Sequence, residues 1–198
     1  MFKQTSISTF SLDINKGEKK LQTNINLTLK PGSVCFLDGA NGSGKTTMLR
    51  TLLNLQPKFR GILKNNYFKT FEGHYVSNSH PFDDYLTLHE NLLSWCGAPS
   101  NQYTQEEMEK FLILFDLHHK IEVPFGLLSD GQKKKANLSR LLLHPLKLWI
   151  LDEPAVFLDQ KSFQLLINLM KEHQKRGGIS LVITHIPFTI SNSYFLKF

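Results

Sequence analysis

The sequence predicts an α/β fold built on a mostly parallel sheet, and three observations favour it. Short apolar runs suited to buried strands alternate with segments of helical periodicity along the 198 residues. A glycine-rich loop connects one of these runs to a helical segment. Polar motifs follow directly after the apolar runs, at the strand ends where open α/β sheets bind ligands. We expect a single domain over residues 1–198, because the chain is long enough to bury a sizeable core.

The N-terminal part, residues 2–29, is predicted to form strands at an antiparallel edge of the sheet. Apolar side chains alternate with polar ones at Ile25, Leu27 and Leu29, as in a half-buried strand. The next run, Ser33–Leu37, is short, apolar and partly β-branched, so it predicts a buried strand.

The loop from Gly39 to Thr46 fits the P-loop template, with glycines at the first and sixth positions, then lysine and a hydroxyl residue. It lies between the buried strand and a helical run, Thr47–Leu53, which is the context that the motif requires. Backbone N–H groups of such a loop surround an anion, and the helix dipole adds to the attraction. A glycine-rich turn without a ligand is the alternative, but the four specified positions arise by chance on the order of once in a hundred such chains. We therefore predict that ATP binds Gly39, Ala40, Asn41, Gly42, Ser43, Gly44, Lys45, Thr46 and Thr47.

The middle of the chain is predicted to be largely helical. Strand candidates at residues 61–64 and 73–76 come first, and Leu88–Trp95 then has the pattern of a helix. Thr104 and Glu107 form a capping box that opens a second helix. The apolar face of that helix consists of Met108, Phe111, Leu112 and Phe115.

A second capping box, Ser129 with Gln132, opens a helix that should continue to the next proline. We assign residues 77–144, which include this helix, to a small helical lobe. Residues 1–76 and 145–198 are assigned to the core of the domain.

Two carboxylates, Asp152 and Glu153, follow the apolar strand Leu148–Leu151. Phosphoryl transfer needs a metal, correct positioning and a group that orients water more than it needs covalent chemistry. We expect Lys45 to contact the β- and γ-phosphates of ATP, and the Thr46 hydroxyl to bind Mg²⁺ together with Asp152. Glu153 is the candidate general base that polarises the attacking water. An acidic turn after a strand is common by itself, but the P-loop upstream favours the catalytic interpretation.

The last third of the chain continues the alternation of helix and strand. Asp159 can cap a helix that ends at Gly177 and Gly178, and its apolar face has helical spacing. That face consists of Phe163, Leu166, Ile167 and Met170. Ser180–Thr184 is predicted as the last core strand, with His185 at its end.

Composition narrows the classes of function. The chain has 23 Lys plus Arg against 17 Asp plus Glu, an excess that nucleic acid, an anionic membrane surface or nucleotide phosphates would each explain. The basic residues are scattered and lack aromatic interleaving, so we expect no nucleic-acid partner.

Cys35 and Cys96 lack metal-ligand spacing and are expected to be packed, reduced thiols. No apolar run approaches the roughly 20 residues that span a bilayer, so a membrane role would need another chain.

In order and spacing, these motifs resemble those of the nucleotide-binding subunits of ATP-binding-cassette (ABC) transporters. Residues 128–132 resemble the signature sequence, residues 148–153 the Walker B motif, residues 156–159 the D-loop, and residues 184–185 the switch histidine. The resemblance covers nearly the whole chain. It implies the P-loop NTPase fold of ABC ATPases and ATP hydrolysis coupled to transport.

The resemblance also implies a homodimer of cassettes in complex with integral membrane subunits, on the cytoplasmic side of the inner membrane. In such dimers each ATP lies between one P-loop and the signature helix of the other subunit. Ser129, Gly131 and Gln132 would then contact the ATP of the partner subunit, which suits the anion affinity of a helix N-terminus. Asp159 would belong to the D-loop, and His185 would contact the γ-phosphate as a catalytic residue.

Within the family, the chain is similar to the ATPase subunits of haem exporters used in cytochrome c maturation. Short length, little chain beyond the switch histidine, and the residues Leu86–Thr87, Glu90–Leu92 and Trp95 carry this narrower resemblance. Two alternatives remain open. One is the ATPase of another ABC exporter or importer, and the other is a soluble, non-transport ABC ATPase that acts on nucleic acid or ribosomes.

Three positions depart from the family pattern. The family usually carries a Gln after the strand at residues 73–76, where this chain has Asn78, Ser79 and His80. Lys16 stands where an aromatic ring commonly stacks on adenine, which leaves Phe10 as the candidate for that contact. Asp130 occupies a signature position where small residues are commoner, and we expect its carboxylate to point away from phosphate.

Two clusters are expected to be solvated rather than functional. His118 and His119 have no third ligand at a useful spacing, so a helix end in water is the expected environment. Lys133, Lys134 and Lys135 are expected to form an exposed helix face.

Overall fold

The computed structural model describes residues 8–16, 19–52, 73–95, 104–144 and 146–197. The strand candidate at residues 61–64 and Cys96 lie outside these ranges. The side chains of Phe10 and Lys16, which bear on adenine stacking, are also not described. Within the described ranges, no helix is both long enough and apolar enough to pass through a membrane.

The first two strands pair with each other. β1 (Ser8–Lys16) and β2 (Lys19–Leu29) are antiparallel and form a two-stranded sheet. Among the described residues they make no ladder with the core sheet, so the expected antiparallel edge of that sheet is not confirmed.

In the described part of the chain, the core is a five-stranded parallel sheet. Its strands are β3 (Ser33–Asp38), β4 (Gly73–Val76), β5 (Leu148–Asp152), β6 (Ile179–Ile183) and β7 (Ser193–Lys197). They lie in the order β4-β5-β6-β3-β7, and every neighbouring pair is parallel. The three inner strands are buried almost throughout, as expected where both faces of a parallel sheet are covered. The predicted α/β fold with a mostly parallel sheet is confirmed.

The described part of the sheet contains one strand that the sequence did not predict. Ser180–Thr184 was expected to be the last core strand, and this is wrong, because β7 pairs with β3 beyond it. β7 is an edge strand whose side chains are half-buried or exposed, and Phe195 is 63% exposed. Its apolar run is only three residues long, Tyr194 to Leu196, which is too short to be recognised as a buried strand in a sequence.

Five α-helices surround the sheet in the described part of the chain: α1 (Lys45–Leu52), α2 (Leu88–Trp95), α3 (Gln105–Leu114), α4 (Asp130–Leu143) and α5 (Gln160–Lys175). Both predicted capping boxes form, at Thr104 and at Ser129. Asp159 caps α5 by accepting a hydrogen bond from the Ser162 N–H at 2.8 Å. These helix starts follow from local chemistry, which is why the sequence predicted them.

Two hydrophobic clusters cover the two faces of the sheet. Successive strand residues point to opposite faces, so Cys35 and Leu37 lie in the cluster that contains Met48 of α1. Val34 and Phe36 lie in the other cluster, which contains apolar residues of the other four helices. The second cluster joins the expected helical lobe to the sheet, and the proposed division at residues 76 and 145 stays a prediction.

Candidate functional site

The loop after β3 encloses a lysine ammonium. Gly42 and Gly44 have φ of 80° and 105°, in the left-handed region that glycine adopts without strain. Lys45 is the first residue of α1, and its side chain is buried. Its Nζ donates to the carbonyl oxygens of Gly39, at 2.6 Å, and Ala40, at 2.9 Å. A positive charge thus lies inside the loop, as a phosphate site requires.

Asp152 is joined to the loop by a hydroxyl. Its Oδ2 accepts hydrogen bonds from Oγ1 of Thr46, at 3.1 Å, and from the hydroxyl of Tyr75, at 3.3 Å. Burial raises the pKa of Tyr75, so this hydroxyl remains a donor at neutral pH. The sequence predicts that Thr46 and Asp152 lie together, but it does not identify Tyr75 as a site residue. Nothing in a four-residue strand distinguishes a site tyrosine from a packed one.

Glu153 has an unusual backbone conformation. Its φ is +51°, in the left-handed region that is unfavourable for a residue with a Cβ. Its N–H donates to the Ile183 carbonyl oxygen at 2.8 Å, and its Oε2 accepts from the His185 N–H at 3.2 Å. Nε2 of His185 lies 3.4 Å from Oε1 of Glu153 but is too poorly aligned for a hydrogen bond. Oε1 is therefore buried without a hydrogen-bond partner among the described residues.

One cavity of about 470 Å³ brings these groups together. The predicted site residues that line it are Asn41, Gly42, Gly44, Lys45, Thr46, Thr47, Asp152, Glu153 and His185. They come from the ends of three parallel strands, which share one edge of the sheet. Gly39, Ala40 and Ser43 do not line the cavity, although two of them hold Lys45 through their carbonyls.

The signature residues do not line this cavity. Ser129 is exposed, and its hydroxyl accepts from the Gln132 N–H at 3.3 Å, while Gln132 Oε1 accepts from the Ser129 N–H at 3.0 Å. A Cβ on Gly131 would lie 3.0 Å from the Phe157 carbonyl oxygen. Asp130 is exposed, and the expected direction of its carboxylate relative to phosphate stays a prediction.

Asp159 of the D-loop is also outside the cavity lining. It accepts from Nζ of Lys135 at 2.6 Å as well as capping α5, so it ties α5 to α4. The Lys135 contact and the hydrogen bonds from Ser162 lower the pKa of Asp159 well below its usual range.

Two expectations about polar clusters are corrected. The lysine run is not an exposed face throughout, because Lys134 is only 4% exposed. Its position is buried since it lies four residues before Leu138 and seven before Leu141, on the inner face of α4.

His118 and His119 do have a third candidate ligand, because a left-handed turn at Asp116 brings its carboxylate within 4.8 Å of both imidazoles. All three side chains are exposed.

Comparison with known proteins agrees with this arrangement. Residues 22–156 match the ABC transporter family. The chain is 34% identical to the cytochrome c biogenesis ATP-binding export protein CcmA of Pseudomonas aeruginosa, over 90% of this chain and 92% of that protein. It is also 34% identical to the protein of the same name from Reclinomonas americana, over 91% of this chain and 85% of that protein.

Solved structures give the same fold. The structure of an ATP binding subunit of an ABC transporter matches with a TM-score of 0.77 and 25% identity, over 92% of this chain and 80% of that chain. A nucleotide-free ATP-binding cassette from an ABC transporter matches with a TM-score of 0.71 and 21% identity, over 96% of this chain and 87% of that chain.

Proposed function

Because the chain belongs to the ABC transporter family and is an ATP-binding subunit of that kind, we propose that it drives the export step of cytochrome c biogenesis. The single observation that carries the ATPase part of this proposal is the cavity that unites the P-loop, the two carboxylates after β5 and the histidine after β6, whereas the pathway is proposed from the relatives. The relatives are named for cytochrome c biogenesis and export. Since c-type cytochromes carry covalently attached haem, haem is the proposed cargo of the system.

The P-loop is proposed to bind the phosphates of ATP. Lys45 Nζ is held by two carbonyl oxygens of the loop, so it is already directed at the space where the β- and γ-phosphates would lie. The N-terminus of α1 adds the positive end of its dipole. Asn41, Gly42 and Gly44 line the cavity with little side-chain bulk, which lets the backbone approach the phosphates.

The donor set at Thr46 and Asp152 fits Mg²⁺. A hydroxyl oxygen and a carboxylate oxygen lie 3.1 Å apart at the cavity wall, and Mg²⁺ prefers such hard oxygen ligands. When bound, Mg²⁺ would neutralise charge on the phosphate oxygens. The Tyr75 hydroxyl donates to the same carboxylate oxygen and so fixes its orientation.

Glu153 is proposed to accept the proton of the attacking water. Glu153 lines the cavity, and its Oε1 makes no hydrogen bond to the described residues, so that oxygen keeps its capacity to accept one. His185 is proposed to contact the γ-phosphate, because its side chain is 62% exposed at the mouth and its N–H holds the other oxygen of Glu153. Together they place a base and a hydrogen-bond donor at the same phosphate.

The exposed N-terminus of the signature helix α4 supports a dimer as the working form. Ser129, Gly131 and Gln132 lie outside the cavity, so in one chain they have no access to its ATP. We propose that they complete the site of a second copy, and that integral membrane subunits bind this dimer at the cytoplasmic face of the inner membrane. An ATPase of another ABC transporter is the second candidate, and family membership supports both equally.

The test of the mechanism uses the full chain purified with its membrane subunits. Lys45→Ala should abolish ATP binding, and Glu153→Gln should lower the rate of ATP hydrolysis by about 100-fold or more while ATP still binds. Glu172→Gln is the matched control, because Glu172 is an exposed glutamate on α5. Unchanged ATP turnover in Glu153→Gln would overturn the assignment of the base.

The test of the pathway is affinity capture from gently solubilised membranes. Recovery of multi-spanning proteins of cytochrome c biogenesis supports the proposal. Recovery of a different permease keeps the ATPase and removes the haem cargo. Recovery of ribosomes or nucleic acid without membrane proteins contradicts a transport role.

A further inference from the structure

We propose that Lys134 is a positioning residue for ATP hydrolysis: its buried ammonium holds the peptide group of Glu153 and connects it to helix α4 and to the loop after β4. The inference rests on the proposed function, because it concerns the geometry of the proposed base. Lys134 itself does not line the cavity, so it acts through Glu153 rather than on ATP.

The contacts of Lys134 are specific. Its Nζ donates to the carbonyl oxygen of Glu153 at 2.8 Å, to Oδ1 of Asn78 at 3.0 Å and to the carbonyl oxygen of Ser77 at 3.4 Å. An ammonium has three donors, so these three acceptors use its whole capacity. The acceptors follow β4 and β5, two neighbouring strands of the sheet. One side chain of α4 therefore holds two strand ends at the edge where ATP is proposed to bind.

The Glu153 contact matters because the conformation of that residue is unfavourable. A residue with a Cβ keeps a φ of +51° only when its surroundings hold it there. β6 holds its N–H through the Ile183 carbonyl, and Lys134 holds its C=O. If the C=O is released, Glu153 loses one of the contacts that hold its φ at +51°, and its backbone and carboxylate can shift towards a less strained conformation. Displacement of a base by about 1 Å is sufficient to slow a reaction strongly.

The charge of Lys134 suits this role. Burial lowers its pKa to about 8, while the negative charges of Asp152 and Glu153 oppose that shift. The ammonium form therefore predominates at neutral pH. Its acceptors are two carbonyl oxygens and an amide oxygen rather than a carboxylate, so the negative charges of the site are not neutralised by a direct contact.

The same contact gives a route from α4 to the base. Lys134 lies five residues after Ser129, and α4 is a continuous helix from Asp130 to Leu143. Asn137, one turn later, also donates to the Ser77 carbonyl oxygen, at 3.1 Å. A displacement at the exposed N-terminus of α4 is thus passed to Glu153 and to the Asn78 loop through one rigid element.

The test measures steady-state ATP hydrolysis of the full chain purified with its membrane subunits. Lys134→Met, which keeps the length but has no donor, should lower kcat about tenfold or more and change KM for ATP less than twofold, because the P-loop is untouched. Lys134→Arg should recover most of the rate. Lys171→Met, the same substitution at an exposed position on α5, should have no effect. A kcat within twofold of wild type in Lys134→Met overturns the inference.

A double-mutant cycle separates positioning from a general structural role. If Lys134 acts through Glu153, adding Lys134→Met to Glu153→Gln should cause no further loss of single-turnover hydrolysis. Multiplied losses contradict the inference. If Lys134→Met does not fold, Lys134→Leu, which also has no donor, replaces it under the same criteria. When Glu153→Gln loses activity but Lys134 variants do not, the proposed function stands and only this inference fails.

Discussion

Two buried histidines should make the fold sensitive to mild acid. His74 of β4 is 1% exposed, and its Nε2 donates to the His144 carbonyl oxygen at 2.6 Å. Its Nδ1 is buried without a hydrogen-bond partner among the described residues, so a second proton there has no acceptor. His173 of α5 is 5% exposed, and its ring stacks on Trp149 with centroids 3.9 Å apart. Burial lowers the pKa of each to about 4.

The sign and size of this acid effect on the free energy of unfolding follow from the linkage between protonation and folding. An unfolded histidine has a pKa near 6.5, so below that pH the unfolded chain binds more protons than the folded chain does. Above pH 6.5 the imidazoles are mostly neutral in both states, so the free energy of unfolding is at its full value. It decreases as the pH falls from 6.5 towards 4, because protons bind the unfolded chain first. At pH 5.5 about ten of eleven unfolded imidazoles are protonated and nearly all folded ones are neutral, a cost of about 1.4 kcal/mol per histidine. The pair should therefore lower the free energy of unfolding by roughly 3 kcal/mol between pH 8 and pH 5.5.

Urea unfolding of the full chain at pH 8 and pH 5.5 measures this loss. Other groups titrate in the same interval, so the informative quantity is the difference between wild type and a variant. His173→Phe keeps an aromatic ring against Trp149 without a titrating group, and it should remove about half of the loss. His118→Gln replaces an exposed imidazole and should leave the loss unchanged. If wild type and His173→Phe lose equal free energy on acidification, the buried neutral imidazole is not the cause.

Two further predictions concern packing and buried polar groups. Gly178→Ala should destabilise the fold by about 1–3 kcal/mol, because the new Cβ would lie 2.3–2.5 Å from ring atoms of His173, which is buried against Trp149; an unchanged urea midpoint would contradict this. Asn91→Ala should lower the free energy of unfolding by about 2–4 kcal/mol. The Asn91 side chain accepts from the Asp83 N–H at 2.8 Å, and its amide nitrogen donates to the carbonyl oxygens of Asp83, Leu86 and Thr87 just before α2. Asn168→Ala, at an exposed position on α5, is the control, and an equal loss in both variants would refute the argument.

Much of the site could be predicted because its motifs act over short distances. The P-loop needs glycines at positions of positive φ, and Gly42 and Gly44 satisfy that need within the loop itself. The caps at Thr104 and Ser129 use backbone N–H groups only three residues away. Contacts between distant segments have no such signal. Tyr75 reaches Asp152 across 77 positions of the chain, and only the register of β4 on β5 brings the two together.

The edge strand shows a different limit. Central strands are buried on both faces, so their apolar runs are visible in the sequence. Among the described strands, β7 has one neighbour, β3. Phe195 is apolar but 63% exposed, so an apolar residue in this strand does not indicate burial. Pairing of β7 with β3 depends on main-chain hydrogen bonds, which any sequence without proline can make. A strand of this kind is identified from topology rather than from composition.

The lysine run on α4 did contain a signal that identifies its buried member. Successive helix residues are rotated by about 100°, so three consecutive lysines point in three directions and cannot share one exposed face. The buried residues Asn137, Leu138 and Leu141 follow Lys134 at spacings of three, four and seven, which places Lys134 on the inner stripe and its two neighbours beside it. A buried ammonium must find oxygen acceptors, and the ends of parallel strands supply exposed carbonyls next to α4. Helical phase therefore predicts which lysine is buried, whereas its partners at the strand ends follow only from the packing of α4 against the sheet.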